Sequence, residues 1–317
     1  MTNTLNFILL RNFEDGDEKG VVELWNRCLV RDPITPGIFR RKVILDPNFD
    51  PAGCTVAVAG GEVVGFMLAL VRRVPMPGIG LQENTGWITS FFVHPAYRQR
   101  GIGSSMLNRA LEFFRQERRA EVWVSPYTPH YFFPGVDVDA YPEALRLLEA
   151  HGFAEDHRVV GMSRKLLDFT VPPAVVEIEK VLEGEGIRVI TLEPRYIPGL
   201  LKFMQENFPG DWERVVREKL EREADEDITV AVRQGEVVGY CQHEGERFGP
   251  FGVSPALRGR NIGTVLFHRT VERMKARGYK HLWLAWTHGA ARRFYENHGL
   301  AVDRTHAILK LRVDGEV

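Results

Sequence analysis

The sequence has few of the features that mark secreted, membrane-spanning or nucleic-acid-binding proteins. It contains 3 cysteines in 317 residues, and these three, Cys28, Cys54 and Cys241, are far apart. Their odd number and wide spacing fit neither a disulfide framework nor a zinc site. We therefore expect each cysteine to be a buried packing residue and the protein to reside in a reducing, cytoplasmic compartment.

Charge and hydropathy do not indicate a macromolecular partner. Lysine and arginine together number 41 and aspartate and glutamate 42, so the net charge of -1 gives no general attraction to nucleic acid or to an anionic membrane. A glutamate and several glycines interrupt the longest apolar stretch, TVAVAGGEVVGFMLALV, and no membrane span is expected. The first residues have no basic region ahead of their short apolar run, so we expect no signal peptide.

The sequence does contain an internal repeat. The segment GEVVG occurs at 61–65 and again at 235–239, and RQRGIGSSML at 98–107 resembles RGRNIGTVLF at 258–267. The repeated segments keep their order, which is typical of a tandem duplication of one domain. We predict an N-terminal domain over 1–170, a linker over 171–186 and a C-terminal domain over 187–317.

Each half is predicted to be an α/β (α+β) unit. The patterns favour a strand, one or two helices, three strands that end at the glycine-containing loop, then a helix, a strand, a helix and a closing strand. The first half also carries two insertions, VRRVPMPGIGLQENTG at 71–86 and SPYTPHYFFPGVDVDAY at 125–141. Both are rich in proline, glycine and aromatic residues, as surface loops that shape a pocket often are.

The repeated loop has the character of an anion site. A strand followed by a glycine- and arginine-rich turn and a helix N-terminus presents several backbone N–H groups to one point, which suits phosphate or pyrophosphate. The second copy has Asn261 where the first has Gly101. Asparagine is the non-glycine residue that best tolerates a left-handed backbone, so this replacement need not abolish a second site. Neither copy has the lysine of a Walker motif or the third glycine of a dinucleotide fingerprint.

These loops resemble a known motif. The pattern V-x-P-x-x-R-x-x-G-x-G followed by an amphipathic helix resembles the acetyl-CoA-binding motif of the GNAT superfamily of N-acyltransferases, and FYENHGL at 294–300 resembles the closing motif of that superfamily. The resemblance covers both halves. It implies two tandem domains, each with a mixed, mostly antiparallel central sheet flanked by helices. It also implies acetyl-CoA as co-substrate and direct attack by the primary amine of a small molecule.

The resemblance also implies which residues hold acetyl-CoA. In the second half the backbone of three strand residues would pair with the pantetheine arm, and the loop amides would hold the pyrophosphate; these residues are Phe251, Gly252, Val253, Arg258, Gly259, Arg260, Asn261, Ile262, Gly263 and Thr264. The equivalents in the first half are Phe91 to Val93 and Arg98, Gln99, Arg100, Gly101, Ile102, Gly103 and Ser104.

The candidate catalytic residues differ between the halves. Tyr295 lies where the superfamily usually has the tyrosine that protonates the departing thiolate, whereas the equivalent residue in the first half is Leu148, which cannot donate a proton. We therefore predict that the second half is catalytic and that the first is a degenerate partner. The reverse stays open, because Tyr127, Tyr131 or Tyr141 in the second insertion could supply a proton from another direction.

A general base is harder to predict. Glu244 is our first candidate, since superfamily members often use a carboxylate near the strand that leads to the loop; Glu246 and Glu83 are alternatives. The histidines of the second half lack a metal-ligand spacing, and no metal is predicted. The competing hypothesis is a non-catalytic acyl-CoA-binding or sensing protein. A monomer and a homodimer are equally compatible with the sequence.

Overall fold

Strands and helices follow one another in two similar series in the computed structural model, which describes residues 7–313. The first series consists of β1 (Ile8–Asn12), α1 (Asp17–Cys28), α2 (Pro36–Phe39), β2 (Cys54–Ala59), β3 (Glu62–Val71), β4 (Thr85–Val93), α3 (Ile102–Gln116), β5 (Glu121–Val124), β6 (Val136–Asp137), α4 (Pro142–Ala150) and β7 (Ala154–Lys165). The second series consists of α5 (Pro173–Gly184), β8 (Ile187–Thr191), α6 (Ile197–Asn207), α7 (Asp211–Glu221), β9 (Ile228–Arg233), β10 (Glu236–Glu244), β11 (Arg247–Val253), α8 (Ile262–Ala276), β12 (His281–Thr287), α9 (Gly289–Asn297) and β13 (Ala301–Arg312).

The chain forms two compact units that do not follow the division predicted from the repeat. The N-terminal unit contains the chain up to Pro75, Leu81–Val159 and the chain from Arg304 onward, and the C-terminal unit contains Met76–Gly80 and Val160–Asp303. The crossings fall inside strands, because β7 runs on into the C-terminal unit and β13 returns to the N-terminal one. Loop-like composition indicates boundaries that lie in loops, so it does not reveal crossings that lie within strands.

The segment predicted as a linker, 171–186, is also structured. Most of it forms α5, which belongs to the C-terminal unit and buries Val175 and Leu182 in the core of that unit. The two prolines that suggested a linker belong to the start of this helix: Pro172 precedes it and Pro173 is its first residue. At these positions the missing N–H of proline removes no helical hydrogen bond.

The N-terminal unit has a sheet with helices on both faces. Its strand order is β1-β2-β3-β4-β5-β13, with β6 paired to β13, and every pair is antiparallel except β4–β5. One face packs against α3 and the other against α1 and α2. The β4–β5 pairing ends at Ile88–Val124, whereas β4 continues to Val93.

The C-terminal unit repeats this architecture. Its strand order is β7-β12-β11-β10-β9-β8, and the single parallel pair is β11–β12, which is joined at Arg247–Trp283. One face packs against α8 and the other against α6 and α7. The prediction of two units, each with a mixed, mostly antiparallel sheet flanked by helices, is confirmed.

The helix after the first glycine loop shows how the sequence specifies this packing. Its apolar residues recur at helical spacing, so they form one face, and that face is buried; its members are Ile102, Met106, Leu107, Ala110, Leu111, Phe113 and Phe114. Burying a side chain the size of leucine or phenylalanine contributes about 1.5–3 kcal/mol, so this stripe fixes α3 on the sheet. The prediction of an amphipathic helix here is confirmed.

The cysteines and the helix lengths also bear on the sequence predictions. Cys28, Cys54 and Cys241 are buried and unpaired, as predicted. Among the helices of residues 7–313, none combines the length and the apolar character needed to cross a membrane.

A buried imidazole lies in the core of the C-terminal unit. His268 of α8 packs against Phe169 and against the ring of His298, with ring centroids 5.6 and 5.3 Å away. Burial lowers the pKa of His268 to about 4, and the positive charges of Arg164 and Arg269 act in the same direction. The folded protein therefore holds this imidazole neutral.

Replacing Gly86 by alanine is expected to destabilise the N-terminal unit. A Cβ at this position would lie 2.4 Å from the ring of Phe114, which is fully buried and cannot move aside. Overpacking of this kind costs about 1–3 kcal/mol, measurable by urea denaturation. Gly184→Ala is the matched control, because a Cβ at that helix end meets no atom within 4 Å. Equal stability of the two variants would contradict the packing described.

Acid is expected to destabilise the C-terminal unit through His268. Its pKa is about 6.5 in an unfolded chain and about 4 in the folded one, so its contribution is complete above pH 6.5 and is lost as the pH falls towards 4. The loss amounts to about 3 kcal/mol, and His268→Leu should remove it when the unfolding free energy is measured against pH. An unchanged pH dependence in His268→Leu would refute the assignment.

Candidate active site

A cavity of about 500 Å³ opens in the N-terminal unit where β4 and β5 separate. Its walls include β4 from Ile88 to Val93, the start of α3, the second insertion from Phe133 to Tyr141, and Arg304 of β13. Beyond the Ile88–Val124 pair, no strand among residues 7–313 pairs with β4 on the β5 side. The cavity therefore has a free strand edge along one wall.

The first glycine loop forms one end of this cavity. Gln99 and Gly101 adopt left-handed backbone conformations, with φ of 59° and 77°, and α3 starts directly after them. The first helical hydrogen bond of α3 runs from the Ser105 N–H to the Gly101 carbonyl at 2.9 Å. The backbone amides before Ser105 are therefore not used by the hydrogen bonds of the helix. Arg98 also lines the cavity, and its Nε donates to the Val93 carbonyl at 3.1 Å. The donors gathered here are those that bind phosphate groups.

A β-bulge interrupts β4 in the middle of the cavity wall. Leu68 pairs with Ser90 and Ala69 with Ile88, which leaves Thr89 as an extra residue. The hydroxyls of Thr89 and Ser90 are buried and have no hydrogen-bond partner among the described residues. The bulge thus leaves polar groups unsatisfied in the wall between the glycine loop and the far end of the cavity.

The far end of the cavity is built from charged residues. Arg304 donates from Nε to Asp137 at 2.8 Å and from Nη1 and Nη2 to Asp32 at 2.6 and 2.8 Å. Asp137 also accepts from Arg31 at 3.0 Å and from two backbone amides of the turn that follows it. Burial raises the pKa of Asp137, but the amide of Ala140 and the two arginines outweigh this effect and hold it below its usual value.

Of the three insertion tyrosines, Tyr141 lines the cavity. Its hydroxyl donates to Oδ2 of Asp32 at 3.3 Å, and burial, together with the negative charge of Asp32, raises its pKa to about 12. Tyr127 is fully buried, with its hydroxyl 3.0 Å from Asp46, and does not line the cavity. Tyr131 lies outside the cavity wall as well, and its carbonyl accepts from Lys42.

The corresponding region of the C-terminal unit is filled by aromatic rings. Tyr295 is 8% exposed, and its ring lies 5.4–6.4 Å from those of Phe248, Phe251, Phe267 and Phe294. Burial raises the pKa of Tyr295 well above its usual value. The predicted proton donor therefore lies in an apolar cluster rather than on a cavity wall.

The backbone that was predicted to bind pantetheine is covered as well. A Cβ placed on Gly252 would lie 2.4 Å from the ring of Phe208, and one placed on Gly263 would lie 3.1 Å from the ring of Phe251. The Phe251 ring in turn packs against Phe294 at 5.4 Å. Rings thus cover Gly252 and Gly263, at the strand and at the helix start of the second site.

The second glycine loop has the expected backbone conformation, but one of its arginines is paired with a carboxylate of the chain itself. Asn261 adopts the expected left-handed conformation, with φ of 63°, and the α8 ladder starts at the bond from Val265 N–H to the Asn261 carbonyl. Arg260 forms an ion pair with Glu185, the residue that follows α5. A carboxylate of the chain thus lies beside the loop predicted to hold pyrophosphate.

One sequence difference in these strands was detectable from the repeat but was missed. At the offset that aligns the two loops, Ser90 corresponds to Pro250, which has no backbone N–H. Pro250 also lies at a register shift, between the Cys241–Phe251 and His243–Phe248 pairs of β10 and β11. The second half therefore lacks a backbone donor that the first half has beside its bulge.

The predicted general bases lie away from both loops. Glu244 is exposed at the end of β10 and pairs with Arg222 at 3.3 Å. It lies ahead of β11, whereas the loop follows that strand, a distance of roughly 20 Å for a strand of this length. Glu246 accepts from the amides of Lys280 and His281, each at 3.0 Å, and these bonds lower its pKa.

The first-half alternative, Glu83, precedes β4, and its carbonyl accepts from Arg119. As for metals, residues 7–313 contain no group of three histidine, cysteine or carboxylate side chains placed to hold an ion.

Sequence reasoning did not find the charged end of the cavity. Asp32, Asp137 and Arg304 come from the loop after α1, from β6 and from β13, and no local motif links them. The crossing of β13 into the N-terminal unit brings Arg304 to this site, and the repeat gave no sign of that crossing.

Known proteins resemble both halves of the chain. Residues 19–133 and 197–300 match the model of the acetyltransferase (GNAT) family. An acetyltransferase of Sodalis glossinidius (strain morsitans) is 33% identical over 102 residues, which are 32% of this chain and 62% of that protein. The chain thus spans less than two thirds of the length of this curated relative.

Two solved structures share the fold over 98% of this chain. One is the GCN5-related glucosamine N-acetyltransferase region of a fungal multi-domain GH3 β-N-acetylglucosaminidase, with a TM-score of 0.80, 21% identity and 38% of that chain covered. The other is a tandem GNAT protein from the clavulanic acid biosynthesis pathway, with a TM-score of 0.65, 17% identity and 100% of that chain covered. Because the family model matches well over half of the chain, and does so in both halves, the protein belongs to the acetyltransferase (GNAT) family as a tandem-domain member.

Proposed function

We propose that this protein transfers an acetyl group from acetyl-CoA to the primary amine of a small molecule by direct attack, and that the N-terminal unit carries the active site. The cavity of about 500 Å³ beside the first glycine loop carries this proposal. The matching region of the C-terminal unit, around Tyr295, is filled by aromatic rings. The proposal therefore takes the alternative that the sequence left open rather than the assignment based on Tyr295.

The residues of the N-terminal cavity fit acetyl-CoA. The amides from Gly101 to Ser104 and the guanidinium of Arg98 suit a pyrophosphate, and the free edge of β4 from Phe91 to Val93 suits the amide groups of a pantetheine arm. When bound, acetyl-CoA supplies a thioester whose carbonyl carbon is the electrophile. The unsatisfied polar groups at the Thr89 bulge would lie along the same wall.

The cavity also supplies groups that can move protons. Tyr141 keeps its proton at neutral pH, since its pKa is about 12. We assign it as the proton donor for the leaving thiolate: its one phenolic proton, which is bonded to Asp32 in the free protein, turns to the sulfur by rotation about the C–O bond. Two carboxylates line the cavity, Asp137 and Glu143. Asp137 is bound by two arginines, whereas Glu143 is exposed and pairs with Arg146 at 3.3 Å, so we assign Glu143 to accept the proton of the amine.

Glucosamine is the first acceptor to test. One structure with a TM-score of 0.80 is described as a glucosamine N-acetyltransferase region, and an amino sugar is among the small amines compatible with the sequence. Glycine and kanamycin represent the other small amines, an amino acid and an aminoglycoside.

Ser104→Glu is expected to abolish acetyl-CoA binding, and Thr264→Glu is expected to leave it intact. The two residues occupy equivalent positions in the first turns of α3 and α8, where a carboxylate favours the helix and should preserve the fold. In Ser104→Glu it would repel the pyrophosphate and weaken binding by at least about tenfold. Calorimetric titration of acetyl-CoA into the wild type should give one site per chain.

The other outcomes of this titration are equally informative. Binding lost in Thr264→Glu alone would return the active site to the C-terminal half. Two sites per chain would show that the aromatic rings do not close the second cleft. Absence of binding to the wild type would refute the acetyltransferase proposal.

Tyr141→Phe is expected to lower kcat about 100-fold without changing the Kd of acetyl-CoA, because it removes a proton donor and little else. Tyr295→Phe is the matched control, since the ring of Tyr295 is buried in the aromatic cluster of the C-terminal unit, and it should keep full activity. Release of the CoA thiol with glucosamine, glycine or kanamycin measures the rate. Loss of activity in Tyr295→Phe alone would reverse the assignment, and a wild type that binds acetyl-CoA but acetylates none of these amines would favour the non-catalytic binding protein.

A further inference from the structure

We infer that Arg304 is a positioning residue of the active site: its guanidinium holds Asp32 in place, and Asp32 in turn holds the phenol oxygen of Tyr141 at the cavity wall. This inference rests on the proposed function, because it concerns the same cavity. It assigns a role in the N-terminal site to a residue that follows the whole C-terminal half in sequence.

The contacts of Arg304 use all three of its nitrogen atoms. Nε binds Asp137, and the two Nη atoms bind the two oxygens of Asp32, all between 2.6 and 2.8 Å. A bidentate pair of this kind fixes the plane of the carboxylate as well as its distance, which a lysine cannot do. Arg304 therefore determines the orientation of Asp32.

The carboxylate of Asp32 connects this pair to the cavity wall. Its Oδ2 accepts from Nη2 of Arg304 at 2.8 Å and from the hydroxyl of Tyr141 at 3.3 Å. Tyr141 lies directly ahead of α4 and lines the cavity, whereas Asp32 is not part of the wall. Arg304 thus reaches the Tyr141 hydroxyl through one shared carboxylate.

Asp137 anchors the other side of Arg304. It is 1% exposed, is bound by Arg31 as well, and accepts from two backbone amides. This anchor has no rotational freedom, so it fixes the guanidinium from the side opposite Asp32. Within the cluster itself, the charges of Arg31 and Arg304 balance those of Asp32 and Asp137.

Stability alone is a weak reason for this arrangement. Buried and half-buried ion pairs seldom stabilise a fold more than well-packed apolar residues of similar volume do, because desolvation offsets their attraction. The cluster also lies at the cavity rather than within the hydrophobic core. The cluster costs desolvation energy but fixes the hydroxyl of Tyr141 at the cavity. Such an arrangement is expected where the position of that hydroxyl matters for the reaction.

Arg304→Gln in the full-length chain is expected to lower kcat for glucosamine, or for whichever of the three amines the wild type acetylates, by at least about tenfold. The Kd of acetyl-CoA, measured by calorimetry, should change by less than about twofold, because the glycine loop is untouched. Arg304→Lys should also lower kcat, since the ammonium is a single point charge and cannot reproduce the planar fork that binds both oxygens of Asp32. Arg312→Gln is the matched control on the same strand, where the arginine is exposed, and it should retain wild-type kinetics.

The double variant Arg304→Gln/Tyr141→Phe separates positioning from a structural role. If Arg304 acts through Tyr141, the double variant should be no slower than Tyr141→Phe alone. If the decreases in kcat of the two single variants multiply in the double variant, the inference is overturned. An unchanged kcat in Arg304→Gln would also overturn it. A fall in acetyl-CoA affinity together with kcat would show a general structural role.

A thermal unfolding cycle tests the pair independently of activity. Arg304→Gln and Asp32→Asn each remove the same ion pair. The sum of the Tm decreases in the two single variants should therefore be larger than the Tm decrease in the double variant. Additive losses would show that the pair does not exist in solution. The proposed function fails separately, if Ser104→Glu leaves acetyl-CoA binding unchanged.

Discussion

The separation of β4 from β5 is the constraint on which the candidate site depends. Parallel pairing stops at Ile88–Val124, and within the described part of the chain no further strand pairs with β4 on that side as far as Val93. Backbone N–H and C=O groups at such an edge need partners, and a strand edge inside the protein is costly to leave bare. Such an edge can be satisfied by water, by a ligand with its own amide groups, or by side chains that close the gap.

The two units meet this constraint in different ways. In the C-terminal unit, rings such as Phe251, Phe294 and Tyr295 fill the space, and each buried aromatic contributes about 1.5–3 kcal/mol to stability. In the N-terminal unit the equivalent space stays open as a cavity. The closed unit gains packing energy, and the open one keeps the surface that the proposed reaction would use.

Long-range chain crossing completes the open unit. Strand β13 returns at Arg304 after the chain has formed most of the C-terminal unit, and Arg304 then binds two aspartates from other segments. The duplication therefore did not leave two independent halves. A division of the chain at the apparent linker would remove a charged residue from the wall of the candidate site.

The sequence by itself determined the duplication, the order of strands and helices, the amphipathic face of α3 and the left-handed turn at Gly101 and Asn261. These features follow from local spacing and backbone preference, which a sequence displays directly. Only the tertiary structure decided which cleft is open, and where the chain crosses between units. It also decided that Tyr295 lies in a ring cluster while Arg304 meets Asp32. These depend on side chains from distant segments filling or leaving space, and no local pattern records which of them meet.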